Sequence, residues 1–399
     1  MKRIAAVLIS VIILLCGCGT QPKDKPENTD TESFGKTDIQ REMAGVWITY
    51  NEIKNMALDE GGFSKAFDEA AKKCRDLGIT DIFLHTRAFC DSIYPSRIFP
   101  QAEYFGGADA LKTAVDICHG YGMKIHAWIN PYRVSTASAD INTLPDASPA
   151  KKFLTDDDPS NDNDVCFTEN GIFLNPSGVH AKLLVLSGIR EILDNYDVDG
   201  IHFDDYFYPT VSADFDKISY ENYTKETSLP LTLEDWRRQN VNALLNACYC
   251  AVKQKDKDIL FGVSPAADID RCYNTLFADI EGWIGGGYID YIMPQLYFGF
   301  EYPVTRFCFD NLLEVWLDKV RNKNVAIYCG LANYKIGTDK SPDNEEWNKY
   351  DDIIARQISL LRSKNVNGFV LFSYSSVFDE SELNTRQLNK IKGELENPR

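Results

Sequence analysis

The chain has 399 residues, of which 44% are hydrophobic and 25% charged, and its formal net charge is −17. This length and apolar content suit one large domain, because α/β barrels with insertions reach such a size. The strongly negative charge argues against nucleic acid as a partner, since a phosphate backbone would be repelled.

The first 17 residues have the pattern of a lipoprotein signal peptide. Lys2 and Arg3 precede an apolar run, Ile4 to Leu15, that is too short to cross a bilayer as a helix. The run ends in Leu15-Cys16-Gly17-Cys18, which resembles the bacterial lipobox. We therefore expect export, lipidation at Cys18 and attachment to the outer face of the cell membrane through the lipid. An uncleaved membrane helix or a soluble secreted product are the alternatives.

Residues 18–38 are predicted to be a disordered tether. They are rich in Pro, Lys, Asp, Glu and Thr and contain almost no large apolar residues, so they cannot bury enough surface to fold. Residues 39–399 are left for the folded domain.

Eight β-strand patterns alternate with helical patterns along this domain, which predicts repeated βα units and a (β/α)8 TIM barrel. An open, doubly wound sheet is the competing α/β architecture, but no GxGxxG follows the first strand. The predicted strands are Met43–Tyr50, Asp81–Ala88, Lys124–Asn130, Gly200–Tyr206, Leu260–Ser264, Tyr291–Tyr297, Val325–Leu331 and Gly368–Tyr374.

The predicted helices fall between these strands and after the last one. Gly78, Gly122 and Asn365 follow three of them and are expected to end those helices in a left-handed conformation. The predicted helices are Phe63–Leu77, Ala108–Tyr121, Gly178–Tyr196, Thr232–Lys253, Tyr273–Trp283, Arg306–Val320, Tyr350–Ser363 and Leu383–Leu395.

The longest insertion, Pro131 to Pro176, follows the third strand and is interpreted as a non-helical loop on the active face of the barrel. It contains an acidic run, residues 156–164. Calcium binding by this run is one interpretation, although the run lacks the glycine and terminal glutamate of an EF-hand, and a solvated charged surface is the other.

The chain has eleven cysteines, and most are predicted to be buried thiols rather than disulfides. No CxxC pair occurs, and Cys248-x-Cys250 lacks the partners of a zinc site, so no cysteine-ligated metal is expected. The cysteines predicted inside helices or strands are Cys74, Cys118, Cys248, Cys308 and Cys329.

Polar side chains gather near the ends of the second, third and fourth predicted strands. Catalytic groups in (β/α)8 barrels come from the carboxyl ends of the strands. Alternation with period two gives three sets, each on one face of its strand, and we expect all three to converge in the barrel interior or at its mouth. The sets are His85 with Arg87, His126 with Trp128 and Asn130, and His202 with Asp204.

The segment Asp199-Gly200-Ile201-His202-Phe203-Asp204-Asp205-Tyr206-Phe207-Tyr208-Pro209 resembles the fourth-strand motif of the glycosyl hydrolase-like 10 family, which is allied to amylase- and α-galactosidase-type barrels. Further matches cover nearly the whole predicted barrel. They are Ala44-Gly45-Val46-Trp47, His126-Ala127-Trp128-Ile129-Asn130-Pro131-Tyr132-Arg133, Phe261-Gly262-Val263-Ser264-Pro265 and Ile289-Asp290-Tyr291-Ile292-Met293-Pro294-Gln295-Leu296-Tyr297.

The resemblance implies a glycoside hydrolase acting on O-glycosidic bonds of a polysaccharide, such as cell-wall glycan strands that have lost their peptides. It also implies that Asp204, at the position of the nucleophile in amylase-type barrels, is catalytic. Those barrels place an acid after strand five or six, where this chain has Gln295.

Glycoside hydrolysis needs two carboxyl groups, one protonated and one ionised. Asp204 and Asp205 are the first candidates, although neighbouring strand residues share a face only if the strand ends between them. Asp91 and Asp268 are the other candidates for the second acid. No cofactor is expected, because two carboxylates suffice.

The remaining candidates are assigned substrate-binding roles from their residue types. Arg87 and His202 could keep Asp204 ionised, and the amides of Asn130 and Gln295 could bond sugar hydroxyls. The rings of Trp128, Tyr206 and Tyr297 could stack on pyranose faces, although most aromatic residues in a chain like this one simply pack the core.

Two interpretations from other classes remain open. His85, His126 and His202 with Asp204 could form a metal-dependent hydrolase or deacetylase site, although no HxH or HExxH pairing is present. Alternatively, the barrel could bind carbohydrate without cleaving it, since a fold alone does not establish activity.

Overall fold

Eight parallel strands form a closed barrel in the computed structural model, which describes residues 42–338 and 344–396. Each strand pairs with the one before it, and the eighth closes on the first. The barrel strands, numbered one to eight below, are Met43–Ile48, Asp81–Arg87, Lys124–Ile129, Gly200–Asp204, Leu260–Ser264, Tyr291–Ile292, Ala326–Leu331 and Gly368–Leu371. The predicted TIM barrel is therefore confirmed, and the open sheet is excluded.

Helices surround the barrel and cover its strands. Gly78, Gly122 and Asn365 have φ angles of 99°, 71° and 59°, which confirms the predicted left-handed helix ends. The helices are Tyr50–Leu58, Gly62–Leu77, Ala110–Gly120, Pro149–Thr155, Val179–Asn195, Lys217–Glu226, Leu233–Lys255, Ile269–Asn274, Ile280–Gly286, Phe309–Val320, Asn344–Lys349, Ile353–Ser363, Tyr374–Val377 and Glu382–Leu395.

Several predicted boundaries are wrong. The fourth, sixth and eighth strands end at Asp204, Ile292 and Leu371 rather than at Tyr206, Tyr297 and Tyr374. Two further differences have a clear local cause. The helix predicted over Tyr273–Trp283 is two short helices, because the chain turns between them at Phe277, which has a φ of 54°. The first strand ends at Ile48 rather than Tyr50, because Thr49 and Glu52 form a reciprocal capping box that starts the helix Tyr50–Leu58.

The insertion after barrel strand three is also more ordered than predicted. It contains the helix Pro149–Thr155 and a small antiparallel sheet, here called the loop sheet. The loop sheet consists of Arg133–Ser135, Val165–Thr168 and Gly171–Leu174, with the last of these in the centre. The interpretation of the insertion as non-helical is therefore corrected.

The acidic run inside this insertion is used for local hydrogen bonds. Asp156 accepts the Asn161 amide at 3.0 Å, and Asp164 accepts the backbone N–H of Ala181 at 2.6 Å. Within residues 42–338 and 344–396 there is no group of three or more His, Cys, Asp or Glu side chains that could hold a metal ion.

The barrel interior is packed mainly with aromatic side chains. A cluster of Met43, Trp47, Phe83, Trp128, Tyr291, Met293, Tyr328 and Val370 fills it. A larger apolar core lies between the strands and the surrounding helices. Eight of the nine described cysteines, all except the half-buried Cys250, are buried thiols outside any disulfide, which confirms the prediction that most cysteines are core thiols.

The predicted signal peptide, lipidated Cys18 and tether lie outside the described residues. No helix in the described part of the chain is long and apolar enough to cross a membrane.

Candidate active site

A cavity of about 730 Å³ opens at the carboxyl ends of the barrel strands. Of the predicted site residues, Trp128, Asn130, His202, Asp204, Tyr206, Gln295 and Tyr297 line it. The other lining residues are Trp47, Thr49, Tyr50, Asn51, Glu52, Asn55, His85, Arg133, Ser264, Tyr334, Phe372, Ser373 and Ser375.

Asp204 is the last residue of barrel strand four and is only 3% exposed. Its carboxylate accepts the indole N–H of Trp128 at 3.1 Å and the backbone N–H of Tyr206 at 3.4 Å. The side-chain amide of Asn130 also donates to both of its oxygens. These donors come from barrel strand three and from the turn after strand four, so they fix the carboxylate at the cavity floor.

Arg133 joins the barrel mouth to the loop sheet. Its Nη1 donates to the Asn130 side-chain oxygen at 2.9 Å, and its Cζ lies 4.2 Å from the centre of the Tyr206 ring. Among the described residues that line the cavity, Arg133 is the one Lys or Arg side chain. Sequence reasoning did not assign it a role, although it ends the third-strand motif, and its position after the strand was the available signal.

Asp205 follows directly after the end of barrel strand four, which is the condition for the two carboxyl groups to cooperate. It is 7% exposed, and its Oδ1 accepts the side-chain amide of Gln295 at 3.4 Å. The same amide donates to the Ser264 carbonyl at 3.0 Å. Asp205 thus lies behind Gln295, which itself lines the cavity.

Burial raises the pKa of both carboxyl groups. The pKa of Asp204 rises to about 7 through burial, opposed by the positive charge of Arg133 and increased by the negative charge of Asp205. The pKa of Asp205 rises to about 6, again through burial, opposed by a backbone hydrogen bond and by the charge of Arg271. The pair can therefore hold one proton near neutral pH, which is the state that acid/base catalysis by two carboxyl groups requires.

His202 does not keep Asp204 ionised as predicted. His202 receives the indole N–H of Trp47 on Nε2 at 3.4 Å, while its Nδ1 faces the Tyr291 hydroxyl at 2.9 Å. Burial lowers the pKa of His202 well below its usual value, so the ring is neutral and cannot hold Asp204 ionised by charge. His85 stacks on the Trp128 ring with 3.7 Å between ring centres, and burial lowers its pKa in the same way.

Arg87 is not brought to the cavity. The pairing of barrel strands two and three shifts register between His85 and Arg87, so the expected alternation fails at Thr86. The Arg87 guanidinium is buried, and its Cζ lies 3.5 Å from the centre of the Phe99 ring. The role predicted for Arg87 beside Asp204 is therefore corrected, since Arg133 supplies the positive charge there.

The three aromatic candidates line the cavity in different ways. Tyr206 lines the cavity and is 52% exposed, with the Arg133 guanidinium over one face of its ring. Trp128 is 6% exposed and supports Asp204 through its N–H. Tyr297 packs edge-on against Tyr334, with ring centres 5.8 Å apart.

Neither alternative second acid lines the cavity. Asp91 accepts the backbone N–H groups of Ala88 and Phe89 at 3.2 and 2.9 Å. Asp268 caps the short helix Ile269–Asn274. Both carboxylates support local structure. Asp205 does not line the cavity either, but it directly follows Asp204, contacts the lining residue Gln295 and raises the pKa of Asp204, so it remains the partner of Asp204.

Glu52 is a lining carboxylate that sequence reasoning missed. It accepts the backbone N–H and the hydroxyl of Thr49 at 2.6 and 2.8 Å, the Ser373 hydroxyl at 2.8 Å and the backbone N–H of Ser375 at 2.6 Å. All of its oxygens are engaged, so Glu52 joins the first strand to the end of the eighth rather than facing a ligand as a free acid.

The histidines and Asp204 do not assemble into the metal site considered as an alternative. His126 lies deeper in the barrel, with Nε2 3.1 Å from Asp81, and His202 is engaged with Trp47 and Tyr291. Metal-dependent hydrolysis therefore has no assembled ligand set within the described ranges.

A closed (β/α)8 barrel with a buried carboxyl pair at the carboxyl ends of its strands is the architecture of TIM-barrel glycoside hydrolases. The model of the family "Glycosyl hydrolase-like 10" matches residues 42–349, and this chain belongs to that family.

Two bacterial proteins are similar over most of the chain. "Glycosyl hydrolase YngK" of Bacillus subtilis is 30% identical, over 93% of this chain and 74% of that protein. "Glycosyl hydrolase DigH" of Escherichia coli is 27% identical, over 86% of each chain.

Solved structures share the fold at low identity. The glycoside hydrolase domain of PgaB (BpsB) from Bordetella bronchiseptica superposes with a TM-score of 0.59 at 13% identity, over 87% of this chain and 98% of that one. The catalytic domain of β-amylase from Paenibacillus polymyxa gives 0.55 at 11% identity, over 88% and 97%.

Proposed function

We propose that this protein is a glycoside hydrolase that cleaves O-glycosidic bonds in a polysaccharide, with Asp204 and Asp205 as its catalytic carboxyl groups. The observation that carries the proposal is the buried carboxyl pair at the end of barrel strand four, in which Asp204 lines the cavity and Asp205 lies behind Gln295. Burial raises the pKa of both groups, to about 7 and about 6. Family membership and the shared barrel support the same reaction class.

The proposed chemistry follows from the shared proton. The protonated member of the pair delivers its proton to the glycosidic oxygen as the bond from that oxygen to the anomeric carbon breaks, and the ionised member balances the positive charge that develops on the sugar ring. A water molecule then adds to the anomeric carbon and returns a proton to the pair. Asp204 lines the cavity and is the member that reaches the glycosidic oxygen, whereas Asp205 lies behind Gln295 and acts through its negative charge, which raises the pKa of Asp204. Tyr206 offers an exposed ring for a pyranose face, and Asn130 orients the carboxylate.

We further propose peptidoglycan strands without their peptides as the substrate. Removing the peptide turns the lactyl amide on alternate sugars into a free carboxylate, and Arg133 is the cationic side chain of the described cavity lining. An intact peptide would replace that carboxylate by a neutral amide, which Arg133 would bind more weakly.

Location at the outer face of the membrane is part of the proposal, and it rests on the predicted signal peptide and on Cys18. Cys18→Ala should prevent lipidation, so the chain should no longer incorporate labelled fatty acid in cells and should leave the membrane fraction. Incorporation that persists in this variant would contradict lipidation at Cys18.

The test of the reaction is incubation of residues 39–399 with peptide-free peptidoglycan strands and with a panel of other polysaccharides, with products identified by mass. Cleavage by the unaltered protein and none by Asp204→Asn would support the hydrolase. Tight glycan binding with no bond cut in any polysaccharide would instead favour a non-catalytic carbohydrate-binding lipoprotein, an alternative suggested by the amide of Gln295 where amylase-type barrels have an acid.

A further inference from the structure

A second cavity, of about 640 Å³, lies on the same face of the barrel as the candidate active site. One wall is the hairpin formed by Val165–Thr168 and Gly171–Leu174, and the other is the segment after barrel strand four. Its lining residues are Thr136, Phe167, Thr168, Glu169, Asn170, Gly171, Phe173, Pro209, Thr210, Ser212, Asp214 and Phe215. None of them lines the first cavity.

The two cavities are neighbours. Arg133 lines the first and Thr136 the second, three residues further along the loop sheet. On the segment after strand four, Tyr206 lines the first cavity, and Pro209, three residues further along, lines the second. Three residues span at most about 11 Å, so one extended ligand can reach both cavities.

The lining of the second cavity combines aromatic rings with neutral hydrogen-bonding groups. Phe167 is 44% exposed, and Phe173 packs against Phe215 with ring centres 6.4 Å apart. Residues with hydroxyl and amide groups, including Asn170 and Ser212, also line the cavity. A pyranose needs this combination, because its C–H face is apolar and its rim is hydroxylated.

The charge of the lining restricts the ligand. Glu169 and Asp214 line the cavity, and no Lys, Arg or His is among its described lining residues. An anionic group would therefore be repelled here, in contrast to the first cavity with Arg133.

The second cavity has a rigid wall. Arg237 is fully buried and donates to the carbonyls of Val211 and Ser212 at 3.2 and 2.7 Å. The same guanidinium forms an ion pair with the buried Asp216 at 2.5 Å. These bonds fix the segment that carries Thr210, Ser212 and Asp214, so little ordering is needed when a ligand binds.

We infer that the second cavity is an outer subsite, which binds an uncharged sugar unit of the same polysaccharide chain that is cleaved at Asp204. This inference rests on the proposed function and adds to it: longer glycans bind and react better than short ones, and the outer unit is the one without a carboxylate. In a peptide-free peptidoglycan strand that unit is N-acetylglucosamine.

The test compares Phe167→Ala with Val315→Ala, a matched removal of an exposed apolar side chain (48% exposed) on the helix Phe309–Val320. The protein of residues 39–399 is assayed with peptide-free peptidoglycan fragments of increasing length, from the tetrasaccharide upwards, and kcat/KM is determined for each length. For the unaltered protein and for Val315→Ala it should rise with length. Phe167→Ala should lose about two- to tenfold on the longest fragments, and Phe167→Trp should recover that loss.

Equilibrium binding separates this inference from the reaction itself. In the Asp204→Asn background, long fragments should bind more tightly than short ones, and Phe167→Ala should remove the difference. If the unaltered protein cleaves glycan but Phe167→Ala keeps the full dependence on length, the outer subsite is overturned while the hydrolase stands. If no glycan is cut, the hydrolase fails, and binding alone decides the subsite.

Discussion

The interior of the barrel and its mouth use the same residue types in opposite ways. In the interior, the Nε2 atom of His126 lies 3.1 Å from Asp81 and both residues are 1% exposed, so the buried carboxylate has an imidazole as its partner. At the mouth, two buried carboxyl groups are neighbours, and the loss of solvent around each of them raises its pKa. The interior is arranged for stability, whereas the mouth keeps an unfavourable like-charge pair that is useful only for chemistry.

The largest expected effect is on activity at the mouth. Asp204→Asn keeps the shape of the side chain but can neither ionise nor donate a carboxylic proton, so kcat should fall by about a thousandfold or more, equivalent to about 4 kcal/mol. Steady-state assays with the accepted glycan check this. The matched control is Asp268→Asn, which removes a carboxylate that caps a helix outside the cavity and should change kcat by less than about twofold.

The second prediction is that a substitution in the barrel interior lowers stability and leaves activity unchanged. Asp81→Asn weakens the buried contact with His126 and should lower the free energy of unfolding by about 3 kcal/mol, with kcat unchanged in the protein that remains folded. Urea unfolding measures the loss. Asp116→Asn, which removes an exposed ion pair with Lys112, should leave the free energy of unfolding nearly unchanged. Equal losses in the two variants would contradict the assignment of the interior pair to stability.

The third prediction concerns stability and pH. The folded-state pKa of Asp204 lies near 7 and its ordinary value is 3.8, so between these values the folded protein keeps a proton that the unfolded chain has lost. The stabilisation of the folded state by this bound proton is fully present below about pH 4 and is lost as pH rises through 7. Between pH 5 and pH 8, the free energy of unfolding of Asp204→Asn should therefore fall less than that of the unaltered protein, by on the order of 2 kcal/mol. Denaturant unfolding at the two pH values measures the difference. Identical pH slopes would show that Asp204 is ionised in the folded protein.

The barrel could be predicted from sequence because its determinants are local. Strand patterns, and glycine or asparagine at helix ends such as Gly78 and Asn365, act over a few residues. Thr49-Tyr50-Asn51-Glu52 is also a local signal, a capping-box sequence that was overlooked in favour of a longer first strand. The left-handed turn at Phe277 had no signal, because bulky residues seldom adopt that conformation.

The site was less predictable because it depends on register and on contacts between distant segments. Alternation placed Asp204 and Trp128 in the cavity, but one register shift at Thr86 removed Arg87 from it. Arg133 supplies the positive charge near Asp204 instead, and it is held there by a contact with Asn130. The spacing of residues in the sequence does not reveal this contact. Asn130, Tyr206, Gln295 and Tyr297 line the cavity as predicted although they lie beyond the strand ends, whereas Arg87 lies on a strand and does not. The error at Arg87 therefore came from the register shift and not from its distance to a strand end.

The smallest expected effects are shifts in the pH dependence of the reaction, and their opposite signs make them diagnostic. The negative charge of Asp205 raises the pKa of Asp204, and the positive charge of Arg133 lowers it. Arg133→Gln should move the limb of the kcat/KM profile that reports Asp204 to higher pH, by about half a unit to one unit. Asp205→Asn should move the same limb to lower pH in whatever activity remains, because Asp204 would then ionise beside a neutral amide. Arg133→Lys, which retains the charge, should restore most of the original profile. If Arg133→Gln instead weakens binding of peptide-free strands and leaves the profile in place, Arg133 contacts the substrate's carboxylate without controlling the charge of the pair at the mouth.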